Sequence, residues 1–396
     1  MHLETVELKN FKSFRHVKMS NLPRFCVIVG ANGSGKSTLF NVFAFLKEAM
    51  ATNIDTALVK QGGAKRFEEV RSRQSEGNIE IKIQYRERKA DSPLVTYLLE
   101  IGQVDSRPVV EREYLSFRRG TGGRPWHFLD FKRGAGEAVT NEVEKITDVK
   151  DLVREKQVLK SPDILAIKGL AQFKRFPAVV ALGDLIENWH VSDFHINRAR
   201  PDQSAGFAEH LSSEGDNLSL MIEYLYNRHR HIFDRILKKM AERVPGVSKV
   251  EAKTTEEGRV LLRFKDGAFE DPFLARYVSD GTIKMLAYLV LLYDPKPHQL
   301  LCVEEPENQL YPSLLQELAE EFRDYSRRGG QVFVSTHSPD FLNAVNLDEV
   351  FWLSKGKDGY TDIKRASDDP QLRAFVDAGD TMGSLWKQGF FEGADP

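Results

Sequence analysis

The chain has 396 residues, of which 41% are hydrophobic and 29% charged, with 28 glycines and 16 prolines. At roughly 150 residues per domain this length suggests two or three lobes, and the composition excludes collagen-like, disulfide-stapled and wholly disordered chains. Lys and Arg number 56 against 58 Asp and Glu, a net charge of -2, so binding to nucleic acid through overall charge is excluded and would need a local patch.

Leu3, Val6 and Leu8 alternate with polar residues up to Phe11 and Phe14, which predicts a strand and a bend rather than a signal peptide. Arg24 to Val29 reads as a short buried strand. After Gly30 a helical pattern runs from Lys36 to Ala51, its apolar face carrying Leu39, Phe40, Phe43 and Leu46. Alternation returns from about Asn78 to Phe131, with breaks at 91–93 and 120–123, and predicts antiparallel hairpins. A helical period is expected from about Asn141 to Arg243; its best helix spans Asp216 to Met240, capped by Gly215-Asp216-Asn217. Strands resume near Lys249 and Val260. The last third predicts a helix over Ser279–Tyr293, a strand over Gln299–Val303 and a helix over Ser313–Arg327. A strand over Gln331–Ser335, a helix over Asp340–Ala344 and a strand over Val350–Leu353 follow.

Cys26 and Cys302 lie in apolar runs and read as core residues of a reduced, cytoplasmic protein. The longest apolar run, Met285–Tyr293, is about nine residues, short of the roughly 20 that span a membrane.

Gly30-Ala31-Asn32-Gly33-Ser34-Gly35-Lys36-Ser37 fits a phosphate loop between a strand and a helix. Its glycines let successive backbone N–H groups turn inward on phosphates. Lys36 supplies a point charge, Ser37 a hydroxyl for Mg²⁺, and the helix start its positive end. Leu300 to Val303 is an apolar strand ending in Glu304-Glu305. There one acid can hold Mg²⁺ and the next can polarise an attacking water. His337 ends the adjacent apolar strand, in reach of a γ-phosphate. Ser279, in Tyr277-Val278-Ser279-Asp280-Gly281-Thr282, is a helix N-cap whose backbone can meet an anion.

In this order the elements resemble the head of an ABC-type ATPase of the RecF, SMC and OLD branch. The similarity is greatest to small bacterial predicted ATPases of the AAA15/AAA21 type. Leu8-Lys9-Asn10-Phe11-Lys12-Ser13-Phe14 resembles the branch's opening signature, and Glu304-Glu305-Pro306-Glu307-Asn308-Gln309-Leu310-Tyr311-Pro312 its extended acidic motif. The implied fold is an α/β P-loop NTPase head with a mixed sheet, an antiparallel β subdomain and an inserted helical lobe. The expected segments are 1–60 (core with phosphate loop), 61–135 (antiparallel insertion), 136–270 (helical lobe), 271–365 (second half of the core) and 366–396 (tail).

The resemblance implies ATP and Mg²⁺ as cofactors and a homodimer, or higher oligomer, that sandwiches two nucleotides. It assigns Glu305, His337 and Lys36 to catalysis. Gly30, Asn32, Gly33, Ser34, Gly35, Lys36, Ser37 and Thr38 would bind nucleotide, joined by Ser279 and Gly281 from the partner subunit. Ser37 and Glu304 would serve the metal, Glu305 would be the catalytic carboxylate and His337 the phosphate sensor, with Glu307 and Asn308 in the segment crossing the dimer interface. Glu304 stands where Asp is usual, Gln309 and Tyr311 where Gly and His are common. Asp280 replaces the second residue of a transporter's Ser-Gly-Gly. Gln157 and Gln172 are both candidates for the Gln loop.

The expected function is an ATP-dependent switch or sensor in DNA maintenance or anti-phage defence, acting with a separate nuclease-like effector and without a membrane. A slow or non-hydrolysing scaffold holding an effector, or a RecF-like repair factor, is the alternative. Only about 60 residues follow His337, so no nuclease domain is expected in this chain. Arg107 to Arg133 interleaves Arg112, Arg118, Arg119, Arg124, Lys132 and Arg133 with Tyr114, Phe117, Trp126 and Phe128. That pattern would suit DNA, yet a hairpin with a charged outer face and aromatic core is the favoured reading. Arg198-Ala199-Arg200 reads as a solvated turn, and His229 and His231 fall on different helix faces, which argues against a metal pair.

Overall fold

A computed structural model describes the chain except residues 88–91, 118–124, 142–150, 193, 195–202, 205, 245, 268–271, 275–276 and 395–396. Arg118, Arg119, Arg124, the 120–123 turn and Arg198–Arg200 therefore lie outside the described residues. The chain divides into two compact units. The first comprises Met1–Trp189, Leu347–Asp380 and Leu385–Pro396; the second comprises His190–Asn346 and Thr381–Ser384.

In the first unit the opening alternation forms β1 (His2–Phe11) and β2 (Phe14–Ser20), hinged where Asn10 and Lys12 adopt positive φ. The apolar run that follows is β3 (Phe25–Val29), buried along its whole length. Antiparallel strands follow as β4 (Ile79–Arg86), β5 (Val95–Val104), β6 (Arg107–Phe117), β7 (Trp126–Lys132), β8 (Ala135–Val139) and β9 (Arg154–Val158). They join the first two strands in one eight-stranded sheet of order β2-β1-β4-β5-β6-β7-β8-β9. In β4 every second residue (Ile79, Ile81, Ile83, Tyr85) is buried, the period-2 pattern of a strand with one face on a core. β3 belongs to another layer, pairing in parallel with Val350–Lys355, which pairs antiparallel with Thr361–Arg365.

The arginine-rich hairpin follows the favoured reading in its described part. Trp126 and Phe128 are core residues packed with Val139 and Leu152, and Phe128 stacks on Phe117 at 4.3 Å. Arg112 forks onto Asp130 and Arg133 onto Glu111, so both cations are neutralised by neighbouring strands.

The second unit contains a small sheet formed by Gln203–Ser204, Arg259–Asp266 and Val247–Thr254, with Phe273–Leu274 paired to its middle strand. It also contains the parallel pair Leu300–Glu304 and Gln331–Thr336. Around these lie the helices Asp280–Leu292, Pro312–Arg327 and Pro339–Asn343.

Two expectations need correction. The region after Asn141 is not purely helical, because polar Arg154–Val158 forms the edge strand of the large sheet. The helix expected over Asp216–Met240 is two helices, Leu218–Arg228 and Arg230–Arg243. His229 leaves helical geometry at φ -133°, ψ 50°, its N–H closing on the Leu225 carbonyl at 2.9 Å while its own carbonyl receives Ile232 and Phe233. Its ring bonds Tyr224 at 3.0 Å. Asn217 precedes the first helix without capping it by side chain; its amide instead fastens the preceding loop, bonding the Ser212 N–H and the His210 carbonyl.

One buried carboxylate ties sheet to helix in the first unit. Glu113 of β6 is fully buried and accepts from Tyr97 Oη at 3.1 Å and from the N–H groups of Ala166 and Ile167 at the start of the helix Ala166–Leu170. Burial pushes its carboxyl up to about 7 against the opposing pull of those donors. The folded protein therefore keeps this proton to higher pH than the unfolded chain. Its contribution to stability is complete below about pH 4.5 and declines as pH rises through 7. Relative to Glu113→Gln, the native protein should lose about 3 kcal/mol of unfolding free energy between those limits, measured by denaturant titration; parallel pH profiles would contradict it.

Candidate functional site

One candidate region, in the first unit, is the loop that follows β3. Gly30, Gly33 and Gly35 all have positive φ, at 156°, 76° and 110°. A Cβ on Gly30 would lie 2.6 Å from the Leu353 carbonyl, and one on Gly35 would lie 2.9 Å from Ser13 Oγ and 3.0 Å from Thr361 Oγ1. Gly33 has nothing within 4 Å of that position, so its glycine serves torsion and an open face. The helix Lys36–Ala51 starts at Gly35, which gives it no side-chain cap, and helix starts of this kind suit anions. Lys36 is buried and donates to the Gly30 carbonyl at 2.7 Å and the Ala31 carbonyl at 3.1 Å, folding across the loop.

Ser13 and Thr361 buttress the loop from outside. Thr361 Oγ1 donates to the Ser34 carbonyl at 2.7 Å, and its N–H donates to the Ser13 carbonyl at 2.9 Å. The hydroxyls of Ser13 and Ser34 are buried without a hydrogen-bond partner. Asn32, Gly33 and Ser37 are exposed. A cavity of about 590 Å³ beside the loop is lined by Lys12, Ser13, Thr38, Arg71, Arg73 and Tyr360, among others. Burial lowers the Lys12 ammonium below its ordinary range. Arg15 sits 5.5 Å over the Tyr360 ring. Basic side chains, an aromatic face and a nearby helix start fit a phosphorylated ligand.

Another candidate region lies in the second unit. Glu304 ends its strand half-buried, paired in register with Ser335. Glu305 sits at φ 41°, a left-handed torsion costly for a non-glycine residue, and its N–H donates to the Ser335 carbonyl at 3.0 Å. Its carboxylate meets His337 Nε2 at 3.2 Å through one oxygen and accepts from Asn308 Nδ2 at 2.9 Å through the other. Glu307 turns inward: one oxygen accepts from Thr336 Oγ1 at 2.9 Å and from the His337 N–H at 2.5 Å. Burial raises its carboxyl above the usual range. It fastens the turn to the neighbouring strand.

Ser279 caps the helix Asp280–Leu292, its Oγ accepting from the Thr282 N–H at 3.3 Å and sharing a 2.7 Å bond with the Thr282 hydroxyl. A Cβ on Gly281 would stand 3.0 Å from the Gln309 carbonyl, so that glycine permits close approach of the helix to the acidic turn. Of the Gln-loop candidates, Gln157 bonds Glu155 on the edge strand and Gln172 is an exposed turn residue.

Sequence reasoning missed Lys284. Buried at 3% exposure, it donates to the Asn308 carbonyl at 2.9 Å and reaches the Glu305 carbonyl at 3.5 Å. Its signal was a lone lysine within an apolar helix. Thr361 and Ser13 carried no signal of their role at the phosphate loop.

Among solved structures, an SMC head bound to the C-winged helix domain of ScpA aligns with a TM-score of 0.55 at 16% identity, covering 92% of this chain and 98% of that one. An SMC head domain with an extended coiled coil, bound to the C-terminal domain of ScpA and derived from Pyrococcus furiosus, aligns at 0.55 and 14% identity over 96% and 100%. The fold is that of an ABC-type P-loop ATPase head. Over residues 25–343 the sequence matches the family described as "AAA domain, putative AbiEii toxin, Type IV TA system", and the chain belongs to that family. No curated protein matches the sequence. Among the described residues no helix is long and apolar enough to cross a membrane.

Replacing Lys284 with methionine keeps the volume and removes the donors that hold the acidic turn. We expect a loss of about 1–3 kcal/mol in unfolding free energy, read from urea titration; an unshifted midpoint would show that the turn holds itself.

Proposed function

We propose that this protein binds and hydrolyses ATP, and that two copies close on nucleotide to form a cytoplasmic switch. The observation that carries this reading is the loop of positive-φ glycines at Gly30, Gly33 and Gly35, with Lys36 folded over the Gly30 and Ala31 carbonyls, which a triphosphate would displace. Gly30, Asn32, Gly33, Ser34, Gly35 and Thr38 would surround the phosphates, with Lys36 at the β- and γ-groups. Ser37 and Glu304 would hold Mg²⁺. When bound, that ion neutralises charge on the transferring phosphoryl group.

In the same reading Glu305 orients the attacking water and takes its proton. The contacts to His337 and Asn308 fix both carboxylate oxygens, and the left-handed backbone fixes their direction. His337 would sense the γ-phosphate. Ser279 and Gly281 would meet the nucleotide bound by the partner copy. Tyr277 and Tyr311, 69% and 66% exposed, are the large surface side chains flanking those motifs that a second copy could cover. We assign the switch to anti-phage defence or DNA maintenance with a separate nuclease-like effector; the toxin–antitoxin wording of the family description favours defence. DNA is a second candidate ligand, although Arg112 and Arg133 of the hairpin are already paired.

Glu304, with its longer reach than the usual Asp, favours a second reading, an ATP-dependent scaffold with negligible turnover. Steady-state hydrolysis above about 1 per second would exclude it. For the main reading, Lys36→Ala should abolish binding of a fluorescent ATP analogue. Glu305→Gln should retain binding, cut turnover by roughly 100-fold or more, and accumulate as an ATP-bound dimer in light scattering. A monomer at saturating ATP and Mg²⁺ would overturn the shared-site proposal.

A further inference from the structure

Away from the acidic turn, the second unit gathers three side chains that the ATPase reading leaves unused. His210 comes from the loop before the helix Leu218–Arg228, Asp294 follows the helix Asp280–Leu292, and His298 precedes the strand Leu300–Glu304. His210 Nδ1 lies 2.8 Å from Asp294 Oδ2, and the His210 and His298 rings are 4.9 Å apart. One ligand atom from each residue falls within 4.8 Å of the others. Tetrahedral ligands at zinc's bond lengths stand about 3.3 Å apart, so small side-chain rotations would bring all three onto one ion.

We propose that His210, Asp294 and His298 form a binding site for a divalent first-row transition ion, zinc foremost. Two imidazoles and one carboxylate are the donors such ions prefer, whereas Mg²⁺ and Ca²⁺ favour oxygen-only shells. The surroundings hold each ligand in place. Asp294 Oδ1 accepts from the Lys296 N–H at 2.7 Å, which orients Oδ2 toward His210. The His298 ring stacks on His190 at 4.7 Å, and its carbonyl accepts from Tyr325 Oη. Asn217 Nδ2 holds the His210 carbonyl at 2.9 Å. Such outer contacts fix ligand orientation.

Asp294 and His298 are almost wholly enclosed, at 1% and 6% exposure, while His210 is 35% exposed. The site therefore has an open side on which a water can complete four-coordination. A cavity of about 380 Å³ adjoins it, lined in part by Asp294, Pro295, Pro297 and His298. Because His298 stands just before the strand that ends at Glu304, a bound ion would clamp the start of the element carrying the acidic pair. It would act as a structural fastener rather than as a participant in phosphoryl transfer.

The test uses the full-length, tag-free protein, stripped with chelator and kept in excess Mg²⁺ without nucleotide. Titration with Zn²⁺ in a calorimeter should give about one site per chain, accompanied by a rise in melting temperature. Co²⁺ should give a visible absorption band of tetrahedral type. His210→Ala, chosen because that residue is partly exposed, should weaken Zn²⁺ binding more than tenfold and abolish the Co²⁺ band with its circular dichroism unchanged. Asp294→Asn should behave alike. Absence of saturable Zn²⁺ binding, or equal affinity in His210→Ala, would overturn the proposal and leave the cluster a hydrogen-bonded clasp.

Discussion

The helix Lys36–Ala51 takes glycine at its N-cap, so that position offers no side-chain cap. That omission is the constraint around which the first unit is built. A helix start more often takes Ser, Thr, Asp or Asn at that position. Here the chain spends three glycines with positive φ to shape a cradle and lays Lys36 across the loop carbonyls. β3 brings the backbone to the cradle as a fully buried strand, and Ser13 and Thr361 stand so close to Gly35 that a methyl group would not fit. A glycine-rich loop with a lysine laid across it, braced from behind by Thr361, suits a polyphosphate.

The acidic turn in the second unit solves a different problem: presenting one carboxylate while hiding another two residues away. Glu305 is 37% exposed at its side chain and shared between His337 and Asn308. Glu307 is drawn inward onto Thr336 and the His337 amide. Lys284 reaches the turn from below through its carbonyls. Environment rather than residue type divides the roles, since burial raises the carboxyl of Glu307. Glu305 and His337 are consequently positioned by the same small network, with Glu307 bonded to the amide of the very residue that touches Glu305.

Local signals were enough for the elements that carry motifs. The phosphate loop, the helix from Lys36 to Ala51, the cap at Ser279 and the strand ending at Glu304 were all readable, because their patterns depend on residues adjacent in sequence. Features made by distant pairs were not. Glu113 meets the helix start at Ala166, Thr361 reaches Ser34, and His210 meets Asp294 across 84 positions. The break at His229 was hidden because apolar spacing continues through it: Leu225 and Phe233 are both buried on either side. The inward turn of Glu307 was equally invisible, as a run of acids says nothing about which one finds a donor.

The bond from Thr361 to the Ser34 carbonyl joins positions 327 apart. A ribosome adding residues from the amino end would release the glycine-rich segment long before its far brace exists. Contacts of such separation form late and slowly, since the intervening chain must first be ordered. Synthesis must therefore pass Thr361 before the cradle acquires its final rigidity, and products ending short of that residue would lack it.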